Sequence, residues 1–444
     1  MAAFDAGKTR GEYLSLCTGQ MRCKAMRPVV EAELAAHIQD QKEAYLAEGL
    51  EEAEAEAMAI RQMGDPVETG SALDRVHRPK MDWKTVGLIL LLAVLGLTVQ
   101  ILMDRQDPGG KAFFNFAAGT GVGLVLMAAV CFADYTVLGK YPRTVWCLAA
   151  AVTIIVSLLA PETNGIKRSD WTIMLLVPAF SGIVFYYRSQ KEKGIAKALL
   201  WLMGTCFVIV LSTGSFTNGI LSKIWICGCF LMLAFAAGKG WFGKRRWIAG
   251  LLLLLPAVAA LALGGWVVHR GGYQRERLLA LLHPVDYAEG SGYFMVHVRQ
   301  IFVNLKLWGS TAGGAFDEAL SENREDYTFL WVAQNWGLVI SFILILLLFL
   351  LAGVLVWRIG RQKNRLGAIT GIGCVYVLII PVLIHILVNT GLFVGTRCGL
   401  PFISMSGRQG VCLYILMGLL LSVYRGSNIR PEPQTGKRLR AEQE

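Results

Sequence analysis

The sequence LVISFILILLLFLLAGVLV, residues 338–356, contains no charged side chain. A run of this length and hydropathy predicts a helix that crosses a membrane, which needs about 20 apolar residues. Just before it stands Glu325-Asp326-Tyr327-Thr328-Phe329, which places a carboxylate where the helix meets the membrane surface. Such a carboxylate is well placed for proton transfer on a substrate bound at that surface. A simpler interpretation is that Asp326 is the N-cap of one helix, Tyr327–Val356, because Asp is favoured there.

The composition predicts the same class of protein for the chain as a whole. Of its 444 residues, 55% are hydrophobic, and the mean hydropathy is +0.49. Because the backbone must satisfy its own hydrogen bonds in lipid, we predict an all-α, polytopic membrane protein of about ten transmembrane helices. The predicted spans are Val86–Met103, Phe113–Ala133, Thr144–Ala160, Trp171–Tyr187, Ala196–Leu211, Ile224–Ala237, Ile248–Val268, Tyr327–Val356, Gly367–Val388 and Val411–Tyr424.

Lysine and arginine set the expected orientation of these spans. With the N-terminus in the cytoplasm, the four inner loops hold fourteen of these residues and the four short outer loops hold seven. This bias follows the positive-inside rule, with both termini cytoplasmic and the long loop 269–326 outside. The net charge of +11 therefore indicates binding to anionic membrane lipid, and we expect no nucleic acid as partner.

Residues 1–80 are polar and helix-forming, and we predict a small cytoplasmic helical domain with helices over Val29–Leu50, Glu51–Met63 and Val67–Val76. The first residues do not show the pattern of a secretory signal. Glu33–Asp40, with Gly64-Asp65-Pro66-Val67 downstream, resembles the permease-prefix domain, which implies a docking or regulatory module. The membrane domain then covers residues 81–425, and residues 426–444 form a basic cytoplasmic tail.

The ten cysteines are scattered, without a CxxC pair, so we predict neither a disulfide framework nor a metal site. Cys398 is the one cysteine expected to be exposed outside. The apolar pattern of Tyr293–Trp308 predicts an amphipathic helix that lies either on the outer leaflet or against the spans. His385 and Asn389 share one helix face, where a packed polar contact is the expected role.

Several motifs occur in the order known from one family. One motif of the family is a Thr-Asp-Phe-x-Phe element followed by a glycine eight residues after the second Phe. The similar segment here is Asp326-Tyr327-Thr328-Phe329, and Gly337 stands eight residues after Phe329. The other matching segments are Asn164–Arg168, Leu278–Pro284, Gly290–Tyr293, Trp308-Gly309, Asn389–Gly391 and Gly399–Gly407. Over roughly residues 83–425 the chain resembles the SEDS family (FtsW, RodA and SpoVE), whose layout of ten spans with one large outer loop also agrees.

The resemblance implies a peptidoglycan glycosyltransferase. It would polymerise lipid II, the undecaprenyl-diphosphate-linked disaccharide-peptide, at the outer face of the bacterial cytoplasmic membrane, in division, elongation or sporulation. Asp326 is the implied general base. Cations or a divalent ion would hold the leaving diphosphate. The cationic candidates are Arg397, Lys167, Arg168, Arg324 and Arg408, and further candidates for substrate binding are Pro401, Ser404, Asn389 and Gly309. The implied partner is a class B penicillin-binding protein.

The chain departs from the family pattern at several polar positions. Glu325 replaces a threonine, Gln334-Asn335 replace an acidic pair, and Phe180 stands where a span-four element carries a carboxylate. Two alternatives therefore stay open: a flippase for a lipid-linked saccharide, and a non-catalytic membrane partner that activates a penicillin-binding protein. The long outer loop that ends in Asp326 favours the polymerase over the flippase.

Overall fold

The computed structural model describes residues 9–24, 26–77, 79, 81–106, 112–159, 162–163, 166–167, 170–213, 220–243, 245–311, 320, 324–393, 396, 398–405 and 407–426. The chain divides into two compact units that part between Met81 and Asp82. The fold is all-α, as predicted. Within the described residues, regular strand structure is limited to an antiparallel pair of two-residue strands, β1 (Glu162–Thr163) and β2 (Ile166–Lys167).

Within its described residues the N-terminal unit contains four helices, one more than the sequence predicts. They are α1 (Arg10–Gly19), α2 (Arg27–Ala47), α3 (Glu52–Gln62) and α4 (Pro66–His77). The additional helix α1 starts with a capping box, in which Thr9 and Glu12 bond each other's backbone N–H groups. Tyr13 of α1 is fully buried and donates its hydroxyl to the Met63 carbonyl at 3.1 Å, which ties α1 to the end of α3.

The membrane unit contains the remaining fourteen helices of the described residues. They are α5 (Trp83–Gln106), α6 (Ala112–Phe132), α7 (Val137–Lys140), α8 (Pro142–Leu159), α9 (Leu176–Tyr187), α10 (Lys191–Thr213), α11 (Ile220–Gly238), α12 (Ile248–Arg270), α13 (Tyr273–Leu282), α14 (Tyr293–Val303), α15 (Thr328–Trp336), α16 (Leu338–Gly360), α17 (Arg365–Asn389) and α18 (Gly407–Arg425). Short 3-10 turns stand at Asp170–Leu175, Arg188–Gln190, Pro284–Tyr287 and Arg324–Tyr327.

The predicted ten-span layout has a counterpart in these helices. By length and hydropathy, eight helical stretches of the described residues could cross a membrane, and one shorter apolar helix accompanies them. The 43-residue stretch Trp171–Thr213 holds two of the predicted spans, because the chain reverses at Arg188–Gln190 and Trp201 of α10 returns to Tyr187 of α9. The two short predicted spans extend to 19 residues each, as α11 and α18, by including flanking residues.

One predicted span is wrong in its continuity. The sequence predicts a single helix Tyr327–Val356, but the structure has α15 and α16, separated at Gly337. Gly337 has φ 99°, a backbone conformation open mainly to glycine. A side chain there would also meet the Leu307 carbonyl at 2.5 Å. The break lets α15 fold back against α16, so that the segment carrying Asp326 turns into the protein.

The described part of the long loop 269–326 is partly helical and packs on the bundle. Helix α14 ends at Val303 rather than at Trp308, and it buries Met295 and Val298. Val298 belongs to an apolar cluster with Tyr327, Leu330 and residues of α17. Of the two placements expected for this segment, the structure thus has the one against the spans.

Candidate active site

Asp326 lies in the half-buried 3-10 turn Arg324–Tyr327 that leads into α15. The interpretation of Asp326 as the N-cap is wrong. The N-cap of α15 is Tyr327, whose side chain makes no capping hydrogen bond. The first N–H groups of a helix still need acceptors, so another element must supply them.

Helix α17 supplies these acceptors. The Phe329 N–H donates to His385 Nε2 at 3.3 Å, and the Leu330 N–H donates to Asn389 Oδ1 at 3.1 Å. Asn389 Nδ2 in turn donates to the Asp326 carbonyl at 2.9 Å and to the His385 carbonyl at 2.8 Å. Both side chains are fully buried. They cap α15 from a neighbouring helix and hold the Asp326 turn through its backbone.

The bonds of His385 define its tautomer. Its Nδ1 lies 2.8 Å from the Cys398 carbonyl, which can only accept, so Nδ1 carries the proton. Nε2 is then the acceptor that the Phe329 N–H requires. This neutral ring links three segments: α17, the start of α15 and the segment that begins at Cys398.

The segment Cys398–Met405 forms the second support of the turn. Ser404 Oγ donates to the Glu325 carbonyl at 2.7 Å and accepts from the Leu400 N–H at 2.9 Å. Phe402 adopts φ 64°, a left-handed conformation that is rare for a bulky residue. Gln100 of α5 donates to the Ile403 carbonyl at 3.1 Å and holds the segment from the other side.

Helix α14 lies over this arrangement. Phe294 stacks on the ring of Tyr327, with 6.5 Å between the centroids. Arg299 Nε donates to the Gly391 carbonyl at 2.8 Å, just after α17 ends. Helix α14 of the long loop is therefore anchored beside the Asp326 turn by both apolar and polar contacts.

Gly309 lies at the other end of α15. Its N–H donates to the Trp336 carbonyl at 3.2 Å, and the Thr311 N–H donates to the Gln334 carbonyl at 2.9 Å. Leu338 and Val339 donate to the carbonyls of Lys306 and Leu307. These bonds fasten residues 306–311 along the break at Gly337. Since α15 has nine residues, roughly 13 Å of helix separates Gly309 from Asp326.

The Asp326 carboxylate affects the pKa values of two nearby side chains, those of Tyr327 and Cys398. Burial raises the pKa of the Tyr327 phenol, and the charge of Asp326 raises it further. Burial also raises the pKa of the Cys398 thiol, again with a contribution from Asp326. The charge of Asp326 therefore acts on both side chains. Cys398 is only 3% exposed and points to the Pro381 carbonyl, so the expectation of an exposed cysteine is wrong.

The predicted site residues separate into two groups. Asp326, Asn389 and Ser404 are brought together, and Pro401 lies in the same segment as Ser404, but Gly309 is held apart. Arg324 is half-buried beside Asp326, with Nη1 3.5 Å from the Met103 carbonyl, and Arg408 is exposed at the start of α18. Lys167 is described only through its backbone in β2, and Arg168 and Arg397 fall outside the described residues.

Three supporting residues were not assigned a role from the sequence: His385 as a cap, Arg299 and Gln100. The i, i+4 spacing identified His385 and Asn389 as a pair, but it carried no information on their partners. Of the positions that depart from the family pattern, Phe180, Gln334 and Asn335 are neutral and buried or half-buried, whereas Glu325 is charged and half-buried. Phe180 is fully buried, Gln334 is 8% exposed, and Asn335 donates to the Trp331 carbonyl of its own helix. Among the described residues, no group of three His, Cys, Asp or Glu could hold a metal ion.

Comparison with known proteins identifies relatives across most of the chain. A family model described as "Cell cycle protein", FTSW_RODA_SPOVE, matches residues 80–429. A "Probable peptidoglycan glycosyltransferase FtsW" from Enterococcus hirae is 27% identical over 385 residues, covering 78% of this chain and 92% of that protein. The "Peptidoglycan glycosyltransferase MrdB" of Escherichia coli (strain K12) is 26% identical over 372 residues, covering 79% and 94%.

A solved structure shares the fold. It is described as "Structural coordination of polymerization and crosslinking by a peptidoglycan synthase complex" and superposes with a TM-score of 0.61 at 19% identity. The match covers 78% of this chain and 98% of that one. The fold of the membrane unit is thus that of a known class of multi-pass membrane protein.

Proposed function

We propose that this chain, which belongs to the FtsW, RodA and SpoVE family of cell cycle proteins, is a peptidoglycan glycosyltransferase that polymerises lipid II. The family match spans the whole membrane unit, and two relatives of similar length carry the glycosyltransferase name. The proposed location is the outer face of the bacterial cytoplasmic membrane, with both termini in the cytoplasm, on the lysine and arginine bias of the loops.

One structural observation supports this function most: the Asp326 turn is held through backbone atoms. Asn389 and Ser404 bind the carbonyls of Asp326 and Glu325, and α17 caps the helix that follows. A turn that is held rigidly through its backbone is a suitable support for a catalytic base, because small displacements lower rates steeply.

The proposed reaction is a glycosyl transfer with inversion at the anomeric carbon. The acceptor hydroxyl oxygen forms a new bond to that carbon, while the bond from the carbon to the diphosphate oxygen breaks. The hydroxyl proton passes to Asp326, which acts as general base. The undecaprenyl diphosphate departs with the electron pair of the broken bond, and its negative charge must be stabilised.

Cationic side chains of the outer loops are proposed to hold that charge. Arg324 is the half-buried first residue of the turn, and Arg408 is exposed on the same side. Arg397, Lys167 and Arg168 are further candidates from the sequence, and a divalent cation would supply the same stabilisation. Asn389, Ser404 and Pro401 are proposed as positioning residues of the turn, and Gly309 as the anchor of the loop at the helix break.

A class B penicillin-binding protein is the proposed partner. The solved structure that shares this fold comes from a peptidoglycan synthase complex that coordinates polymerisation and crosslinking. This supports a partner that crosslinks the glycan made by this chain.

The function is tested with the full chain in liposomes that contain lipid II, alone and with a cognate class B penicillin-binding protein whose transpeptidase is blocked by penicillin. We expect glycan strands on a gel whenever the chain is present, and none with the penicillin-binding protein alone. Absence of polymer in both mixtures would overturn the proposal. Transfer of lipid II across the bilayer without polymer would identify a flippase instead.

A further inference from the structure

A groove of about 590 Å³ opens on the side of the membrane unit opposite to Asp326. Successive membrane helices run in opposite directions, so the start of α5 and the end of α16 lie on the same side of the membrane unit. The ion pair of Asp82 with Arg358 agrees with this arrangement, and the groove lies on that side. The groove lies between the turn that joins α9 to α10 and the segment that joins α11 to α12. Its lining includes Lys191, Glu192, Lys193, Ile195, Phe242 and Arg245.

The groove combines an apolar floor with a cationic rim. Ile195 is 8% exposed and Phe242 is 3% exposed, whereas Lys191, Lys193 and Arg245 are exposed at the edge. Arg245 pairs with Glu192 at 3.2 Å. Among the described residues, neither Lys191 nor Lys193 forms an ion pair. Lys239 and Arg246 line an adjoining hollow and add two more positive charges.

The backbone adds two observations that general surface charge does not explain. Lys191 has φ 48° and ψ −134°, a strained conformation for a residue other than glycine. It is also the first residue of α10, a helix of 23 residues whose N-terminal end carries partial positive charge. The strain therefore places a lysine and a helix N-terminus at the edge of the same groove.

Helix α12 extends from the groove into the membrane region. It begins at Ile248, which lines the groove. Of the most apolar stretch of α12, only 6% is buried inside the protein. Leu251, Leu254 and Val258 are about half exposed or more. A molecule with an anionic head in the groove would thus find an apolar helix surface alongside for its acyl chains.

We infer that this groove, the basic groove, binds the phosphate headgroup of an anionic phospholipid, with its acyl chains along α12. Basic pockets between membrane helices are suited to such headgroups, and Lys or Arg near them contribute roughly a fivefold gain in affinity each. The inference concerns a site separate from Asp326 and does not depend on glycan synthesis.

The test measures lipid affinity by native mass spectrometry of the full chain in neutral detergent. The probes are dioleoylphosphatidylglycerol, dioleoylphosphatidylcholine and inorganic phosphate. The variant is Lys191→Gln with Lys193→Gln. The matched control is Lys84→Gln with Lys363→Gln, two exposed lysines on the same side of the membrane unit. Equal melting temperatures establish that both variants are folded.

We expect the anionic lipid to bind more tightly than the zwitterionic one, and the groove variant to lose about 25-fold in affinity for it. The control variant should keep the affinity of the native protein. Equal losses in both variants would show that only diffuse surface charge is involved and would overturn the inference. Full displacement of the lipid by millimolar inorganic phosphate would identify a free anion as the ligand and would overturn it as well.

Discussion

Two aspartates near opposite ends of α16 are used in different ways. Asp82 binds with its side chain, which is only 6% exposed: one oxygen accepts from Arg358 at 2.9 Å and the other from Thr85 at 2.7 Å. At Asp326 the bonds that fix the turn run through the backbone carbonyls, to Asn389 and Ser404. The difference teaches that a turn carrying an aspartate can be fastened through the aspartate side chain, as at Asp82, or through backbone carbonyls, as at Asp326.

The largest expected effect is at Asp326. Asp326→Asn keeps the size of the side chain but removes the base, so the rate of lipid II polymerisation should fall by roughly 10²–10⁴-fold. The melting temperature should change little, because the bonds from Asn389 and Ser404 that hold the turn go to backbone carbonyls. Asp286→Asn, an exposed carboxylate of the same loop, is the control and should polymerise normally. A comparable loss in the control would show that loop charge in general is responsible.

The next largest effect is expected at Asn389. Asn389→Ala leaves the Leu330 N–H and the Asp326 carbonyl without their partner, at about 1–3 kcal/mol each. The turn should shift, so that polymerisation falls by roughly 10- to 100-fold and the melting temperature also falls. Thr390→Ala, which removes only a bond within its own helix, is the matched control. Normal activity of the Asn389 variant would contradict the positioning role.

At Asp82 the effect should appear in stability and not in chemistry. Asp82→Asn weakens the pair with Arg358, and we expect the melting temperature to fall by roughly 3–6 °C. Polymerisation per folded molecule should stay within about twofold of the native rate. A loss of activity with unchanged stability would remove the contrast between the two aspartates.

The smallest effect is expected at Ser404. Ser404→Ala removes the donor to the Glu325 carbonyl and the acceptor of the Leu400 N–H, at about 1 kcal/mol each, while the Asn389 bond still holds the Asp326 turn. Polymerisation should fall by roughly two- to fivefold, and Ser310→Ala in the exposed loop should have no effect. A loss as large as that of Asn389→Ala would mean that the Cys398–Met405 segment is the main support.

The sequence was sufficient for the features that depend on length and hydropathy. The ten spans were predicted because an apolar run is recognisable in one dimension, as at residues 338–356. The break at Gly337 was missed because glycine is common within membrane helices. The positive φ of Gly337 and the close approach of the Leu307 backbone appear only in the folded chain. Helix α1 could have been found from the Thr9–Glu12 capping box.

The candidate site was predictable in its members and not in their roles. Asp326, Asn389 and Ser404 were identified as site residues. Their roles were not, because Asn389 and Ser404 bind the backbone of the turn that carries Asp326. Asn389 lies 59 residues along the chain from Leu330, whose N–H it accepts, so no local pattern could reveal that bond. Cys398 was expected to be exposed because it lies between two predicted spans, in an outer loop, but the return of that segment against Pro381 buries the thiol.

The most direct test of the central claim is a double-mutant cycle on polymerisation with Asp326→Asn and Asn389→Ala. If Asn389 acts by positioning the Asp326 carboxylate, Asn389→Ala should lower the polymerisation rate of the native enzyme by roughly 10- to 100-fold. In the Asp326→Asn enzyme the same substitution should lower the rate by less than about threefold. The melting temperature should fall by the same amount in both backgrounds. Equal loss of activity in both backgrounds would show that the two residues act independently and would contradict the account.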